Sequence, residues 1–88
     1  MTSRRVPIVN ALGLHARAAA RFVKLAGAYR SHIRVTRGQR TMDGKSILGL
    51  LLLAAARGSQ IEISADGPDE AEALAALCGL VAQGFEEA

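Results

Sequence analysis

The sequence predicts a two-layer sandwich with helices on one face of a sheet, in the order β-α-β-β-α-β-α. Three observations carry this reading. The stretches SHIRVTR and QIEISAD alternate apolar and polar residues, as strands with one buried face do. Three other stretches place apolar residues at helical spacing, beginning near Ala16, Ser46 and Pro68. Strands with a single apolar face need cover on one side only, so the other side is left to water.

Each element has its own signal. RRVPIVN reads as a short strand with Val6 and Ile8 on one face. Pro7 cannot donate to a ladder, which puts this strand at an edge. A helix follows from about Ala16 to Tyr29, with Ala19, Phe22, Val23 and Ala26 at core spacing and Gly27 near its end. In the next strand Ile33 and Val35 face in, and His32, Arg34 and Thr36 face out. RGQR turns the chain into a short return strand at TMDG. KSILGLLLLAAARG is the second helix, with Ser46 placed to cap it and Gly58 to end it. The last strand points Ile61, Ile63 and Ala65 inward. GPDEAEALAALCGLVAQGFEEA is the third helix, with Pro68 and three early acids suited to its positive end. Leu74, Leu77, Cys78, Val81 and Phe85 form its core stripe, and the tail GFEEA reads as a fraying end.

Composition narrows the function. Eighty-eight residues allow one small domain, spanning 1–88. Only three residues are aromatic, so the core is aliphatic. No apolar run is long enough for a membrane span, and the N-terminus lacks the apolar stretch of a secretion signal. One cysteine cannot form an internal disulfide. These features predict a cytoplasmic chain without a membrane-inserted segment. Net charge is +3, unevenly placed. Residues 1–57 hold all eleven Lys and Arg and a single acid, Asp43, whereas residues 58–88 hold seven acids and no base. The basic half suits nucleic acid, an anionic ligand or an acidic protein surface. A basic nucleic-acid-binding domain is the weakest of these, because no aromatic stacking series or recognised motif accompanies the charge.

The chemistry gathers at GLHARAAARF, residues 13–22. His15 and Arg17 stand where the first helix starts. A helix start leaves about four N–H groups without intrahelical partners and favours an anion, phosphate above all. A neutral imidazole is a nucleophile that can form a covalent intermediate. Arg17 offers a fork that matches phosphate oxygens, and the backbone N–H groups of Ala16 and Arg17 complete a nest. Gly13 permits a tight turn before the histidine. On the residues alone two readings stand: a phosphate-carrying histidine, or a helix-capping histidine beside a surface arginine.

GLHARAAA resembles the active-site motif of the HPr phosphocarriers, the histidine-containing proteins of the phosphoenolpyruvate-dependent phosphotransferase system. GKSILGLLLLAAARG resembles the second signature of that family, centred on a serine. The two motifs stand at the family's spacing, and the likeness covers nearly the whole chain. The resemblance implies an α+β open-faced sandwich with four antiparallel strands in the order 1-4-2-3. It implies phosphorylation of His15 on Nδ1, with Arg17 as clamp, enzyme I as donor and an enzyme IIA as acceptor. It implies a relay component without a cofactor, not a stand-alone enzyme. VNALGLHARA and the C-terminal stretch resemble the nitrogen-related branch, so a regulatory or dual role is expected over sugar uptake alone. Two departures bear on the lifetime of the phosphohistidine: Ala18 stands where proline is usual, and Leu12 where a small polar residue often precedes the glycine.

Ser46 has two readings as well. It caps the second helix, and by resemblance it is also the serine that HPr kinase/phosphorylase modifies, which would make the chain a regulatory binding module. The helix after it is apolar nearly all round. With Leu50, Leu53 and Ala54 facing the core, Ile47, Leu48, Leu51 and Leu52 face outward as a docking patch rimmed by Arg17, Arg21 and Lys24. Deeper burial between the other helices is the alternative. Gly49 interrupts this helix, and close approach of a partner backbone is one reason for it. Cys78 reads as a small core residue. His32 has no ligand-spaced neighbours and implies no metal site. The chain is expected to be a monomer.

Overall fold

A computed structural model describes residues 1–87. Its strands are β1 (Thr2–Pro7), β2 (His32–Arg37), β3 (Arg40–Asp43) and β4 (Gln60–Asp66), and its helices are α1 (Ala16–Ala26), α2 (Ile47–Leu52) and α3 (Glu70–Ala82). All strand pairs are antiparallel, and the sheet order is β1-β4-β2-β3. Pro7 therefore lies on an edge strand, opposite Gln60. There its missing N–H breaks no ladder between two partners.

The alternation of each strand sorts its side chains between core and water. Val6, Ile33, Val35, Ile61, Ile63 and Ala65 are buried, together with Phe22, Leu50, Leu53, Leu77, Val81 and Phe85 from the helical layer. Cys78 belongs to this core, and burial pushes its thiol up against the opposing pull of Arg4. On the open face the register sets Arg5 opposite Glu62, Arg34 opposite Asp43, and His32 opposite Asp66.

The helices depart from the expected lengths, each for a local reason. α1 stops at Ala26, and i→i−3 bonds from Ala28 to Leu25 and from Tyr29 to Ala26 tighten its exit. α2 is much shorter than the apolar run that contains it. It ends at Leu52, and Ala54 turns left-handed (φ 51°). Arg37 and Arg40, at the β2–β3 turn, donate to the carbonyls of Leu53 and Leu52, which no following turn of helix satisfies. The expected core position of Ala54 is corrected by this turn: Ala54 is exposed and Ala55 is buried in its place. Gly58 does not end the helix. It pairs with Ile8 and extends the β1–β4 ladder.

Through Glu87 the tail is not a fraying end, and Ala88 lies outside the described residues. α3 finishes in a Schellman turn, in which Gly84 N–H bonds Val81 O and Phe85 N–H bonds Leu80 O. Phe85 has no exposed surface, so it joins the core from beyond the helix and not from its stripe.

Asp69 stands before α3 without capping it. Its carboxylate instead accepts from Arg30 N, Ser31 N and Ser31 Oγ, and so ties the α1–β2 connection to the start of α3. The Ser31 hydroxyl first, and then the Arg30 amide, hold this carboxyl below its ordinary range. A carboxyl lowered on folding stabilises the fold above its unfolded value and loses that contribution as pH falls through the folded one. Asp69→Ala should therefore lower Tm by several degrees at neutral pH. The gap from the parent should close as pH drops below the ordinary carboxylate range, as thermal melts across acid pH will show.

Candidate phosphoryl-carrier site

The site begins with a turn. Gly13 N–H bonds Asn10 O at 3.1 Å, and Leu14 N–H bonds Ala55 O at 2.9 Å. Gly13 is left-handed (φ 66°), and a Cβ there would lie 2.5 Å from Ala55 O and 2.9 Å from Ala56 Cα. Only glycine fits a turn pressed this closely against another backbone. The turn delivers His15 to the N-cap of α1 in extended conformation.

His15 is held at both ring nitrogens. Arg17 N–H donates to Nδ1 at 3.3 Å, so the capping role read from the sequence is real. Nε2 bonds Glu87 Oε2. The other oxygen of Glu87 accepts from Asn10 Nδ2 at 2.8 Å, and the same Nδ2 donates to Gly13 O at 2.7 Å. The Asn10 bond first, and then the His15 bond, hold the Glu87 carboxyl below its usual range. Arg21 Nη1 donates to Phe85 O at 2.6 Å and fastens the tail to α1.

Sequence reasoning missed Asn10, Phe85 and Glu87 as parts of this site. Glu87 lies 72 residues from His15 along the chain, so no local spacing could announce it. The usable signal was Phe85, a large apolar residue in a segment read as fraying.

The expected residues fall into two groups. His15, Arg17 and Arg21 come together, and the two arginines border an open cleft of about 600 Å³ that also touches Leu12 and Glu87. The Arg17 guanidinium has no hydrogen-bond partner among the described residues. Ala16 and Arg17 form the first turn of α1, and Ala18 behind them is fully buried. Arg21 and Lys24 continue along α1 beside a second shallow hollow. The other group is on α2, where Ile47, Leu48, Leu51 and Leu52 are exposed, Leu48 most of all at 68%. Ser46 caps α2 by accepting from Gly49 N–H at 3.0 Å. A Cβ at Gly49 would lie 3.3 Å from Ser46 Oγ and 3.4 Å from Met42 Cβ. Close approach within the chain itself therefore accounts for this glycine.

Comparison with known proteins shows the family. The family model described as "PTS HPr component phosphorylation site" matches residues 2–83. The chain belongs to the HPr family. It is 47% identical over 87 residues to the phosphocarrier protein HPr of Cupriavidus necator, covering 99% of this chain and 98% of that one. It is 41% identical over 85 residues to the phosphocarrier protein NPr of Shewanella violacea, covering 97% and 93%. Its fold superposes on HPr-C-His from Thermoanaerobacter tengcongensis with a TM-score of 0.95 at 39% identity, covering 100% and 99% of the two chains. The chain is thus an HPr-type phosphocarrier of the phosphotransferase system. No helix among the described residues is long and apolar enough to cross a membrane.

Gly13→Ala should strain the backbone by about 1–3 kcal/mol even before the clash with Ala55 is counted. The expected result is a lower Tm together with altered amide shifts of His15 and Ala55, measured by calorimetry and NMR.

Proposed function

We propose that the chain, as one phosphocarrier domain over residues 1–88, accepts a phosphoryl group from enzyme I on His15 Nδ1 and passes it to an enzyme IIA. The observation that carries this reading is the state of Nδ1. Its lone pair faces the start of α1, where the amides of Ala16 and Arg17 can hold phosphoryl oxygens, while Glu87 occupies Nε2. The Arg17 guanidinium, without a hydrogen-bond partner among the described residues, adds the positive charge that a loose, in-line transfer needs.

The apolar surface of Ile47, Leu48, Leu51 and Leu52, with Arg17, Arg21 and Lys24 as its basic companions, suits partners with an apolar centre and acidic rim. Phosphorylation of Ser46 by HPr kinase/phosphorylase would place about −2 charge on this surface and remove the neutral cap from Gly49. The carrier works in the cytoplasm as a monomer. It serves the regulatory, nitrogen-related branch or both branches, a reading supported by VNALGLHARA and by similarity to an NPr as well as to an HPr.

The test is phosphorylation with phosphoenolpyruvate and a catalytic amount of enzyme I, read by intact mass. One acid-labile phosphate is expected, and it should be absent in His15→Ala. Arg17→Ala should slow uptake about a hundredfold with an unchanged melt. Leu48→Asp should weaken the apparent affinity for enzyme I about tenfold or more without changing circular dichroism. Full uptake by His15→Ala would refute the assignment. Running the assay with sugar-branch and nitrogen-branch enzymes I decides the branch, since the cognate donor will be the faster one.

A further inference from the structure

Glu87 is bound directly to the histidine at Nε2. We infer that Glu87 is a positioning residue for phosphoryl transfer: its carboxylate holds the proton of His15 on Nε2, which leaves Nδ1 as the nucleophile, and balances the ring's charge while the phosphoryl group is carried. This inference rests on the carrier reading above.

Hydrogen bonds at both ring nitrogens agree on one tautomer. Nδ1 accepts from Arg17 N–H, so it carries a lone pair. Nε2 faces a carboxylate oxygen, an acceptor only, so it carries the hydrogen. The carboxylate is itself oriented. Its second oxygen takes Asn10 Nδ2, and that amide cannot be turned over, because the same nitrogen serves Gly13 O. A carboxylate fixed behind a histidine, with the histidine's far nitrogen facing the reaction, is a general way to set tautomer and charge.

The tail is also anchored for this purpose. Phe85 is wholly buried, and its carbonyl is held by Arg21. Gly84, Phe85 and Glu86 are all left-handed, with φ of 72°, 58° and 63°. Two non-glycine residues in that region persist only where surrounding contacts impose them.

The chemistry follows from the tautomer. The Nδ1 lone pair attacks phosphorus, and the Nδ1–P bond forms as the bond between phosphorus and the donor atom breaks. The electron pair of the broken bond leaves with the donor. No proton leaves the ring, so the product is a phosphorylated imidazolium whose Nε2–H faces the Glu87 carboxylate. In the onward step the Nδ1–P pair of electrons returns to Nδ1. The leaving group is then a neutral imidazole instead of an imidazolate, and the phosphoryl group moves readily.

Glu87→Gln tests this. Glutamine has one acceptor for the two donors that the carboxylate serves. With its oxygen on Asn10, its NH₂ faces Nε2 and favours the opposite tautomer, against Arg17 N–H. In wild type, ¹⁵N NMR of the neutral, unphosphorylated ring should show the hydrogen on Nε2, and in Glu87→Gln a shift toward Nδ1–H. The rate of phosphate uptake from enzyme I should fall on the order of tenfold, the scale of a charged hydrogen bond. Glu72→Gln makes the same charge change on exposed α3 surface and should move neither readout. Both shifts are required. A wild-type tautomer or a wild-type rate in Glu87→Gln overturns the inference, as does an equal loss of rate in Glu72→Gln. A wild-type chain that takes no phosphate from an active enzyme I instead brings down the carrier reading itself, and the positioning role with it.

Discussion

The contact between Gly13 and the carbonyl of Ala55 is the constraint around which this fold is arranged. Two backbones cannot approach so closely unless one lacks a side chain and an N–H of the same turn satisfies the carbonyl. Leu14 provides that N–H. For Ala55 to present its carbonyl there, α2 has to end early, and left-handed Ala54 makes the turn. The carbonyls exposed by the early stop are then taken by Arg37 and Arg40 from the far end of the sheet. Thus the histidine loop, the short helix and the β2–β3 turn form one connected arrangement. A change to any of them reaches the residue that immediately follows the contact, His15.

Charge shows how sequence and space can differ. Along the chain the bases come first and the acids last. The sheet order undoes that partition, because β4 from the acidic part is inserted between β1 and β2 from the basic part. Arg5 then meets Glu62, and Arg34 on β2 meets Asp43 on β3. The open face becomes mixed in sign, without the continuous positive track that a nucleic-acid backbone requires. The bases of α1 keep their local excess, except where the tail brings Glu87 to His15.

What could be read from the sequence was whatever depends on near neighbours. Strand alternation at Ile33, Val35, Ile61 and Ile63 declared its own buried face, and Pro7 declared an edge. Ser46 and His15 sit at helix starts because capping is a matter of two or three residues. Helix ends were misjudged where tertiary contacts decide them. The apolar run after Ser46 has every local reason to continue as helix, and the backbone of Leu14, far earlier in the chain, meets it at Ala55 where it has turned away. GFEEA looked like a loose end because two acids and a glycine carry no local structure. The order of residues 84–87 comes from a buried Phe85 and from partners on α1 and the loop before it, which no spacing within the tail encodes.

The two sequence readings of His15, helix cap and the proposed phosphate carrier, do not compete. A capping histidine must turn a ring lone pair toward an N–H of the first helical turn. A carrier histidine must turn the same lone pair toward the place where a phosphoryl group can be held, and that place is the same row of N–H groups. On the proposed function, the cap at Nδ1 is therefore the resting form of the carrier geometry. At 3.3 Å the Arg17 contact is weak enough to be exchanged for a phosphorus–nitrogen bond at small cost, while the amide it releases becomes a donor to the incoming oxygens. The bond at the other nitrogen is to a carboxylate, and there nothing has to be displaced. That asymmetry, a long contact at the reacting atom and a carboxylate behind it, would let one short turn be both a stable helix start and the proposed site of transfer.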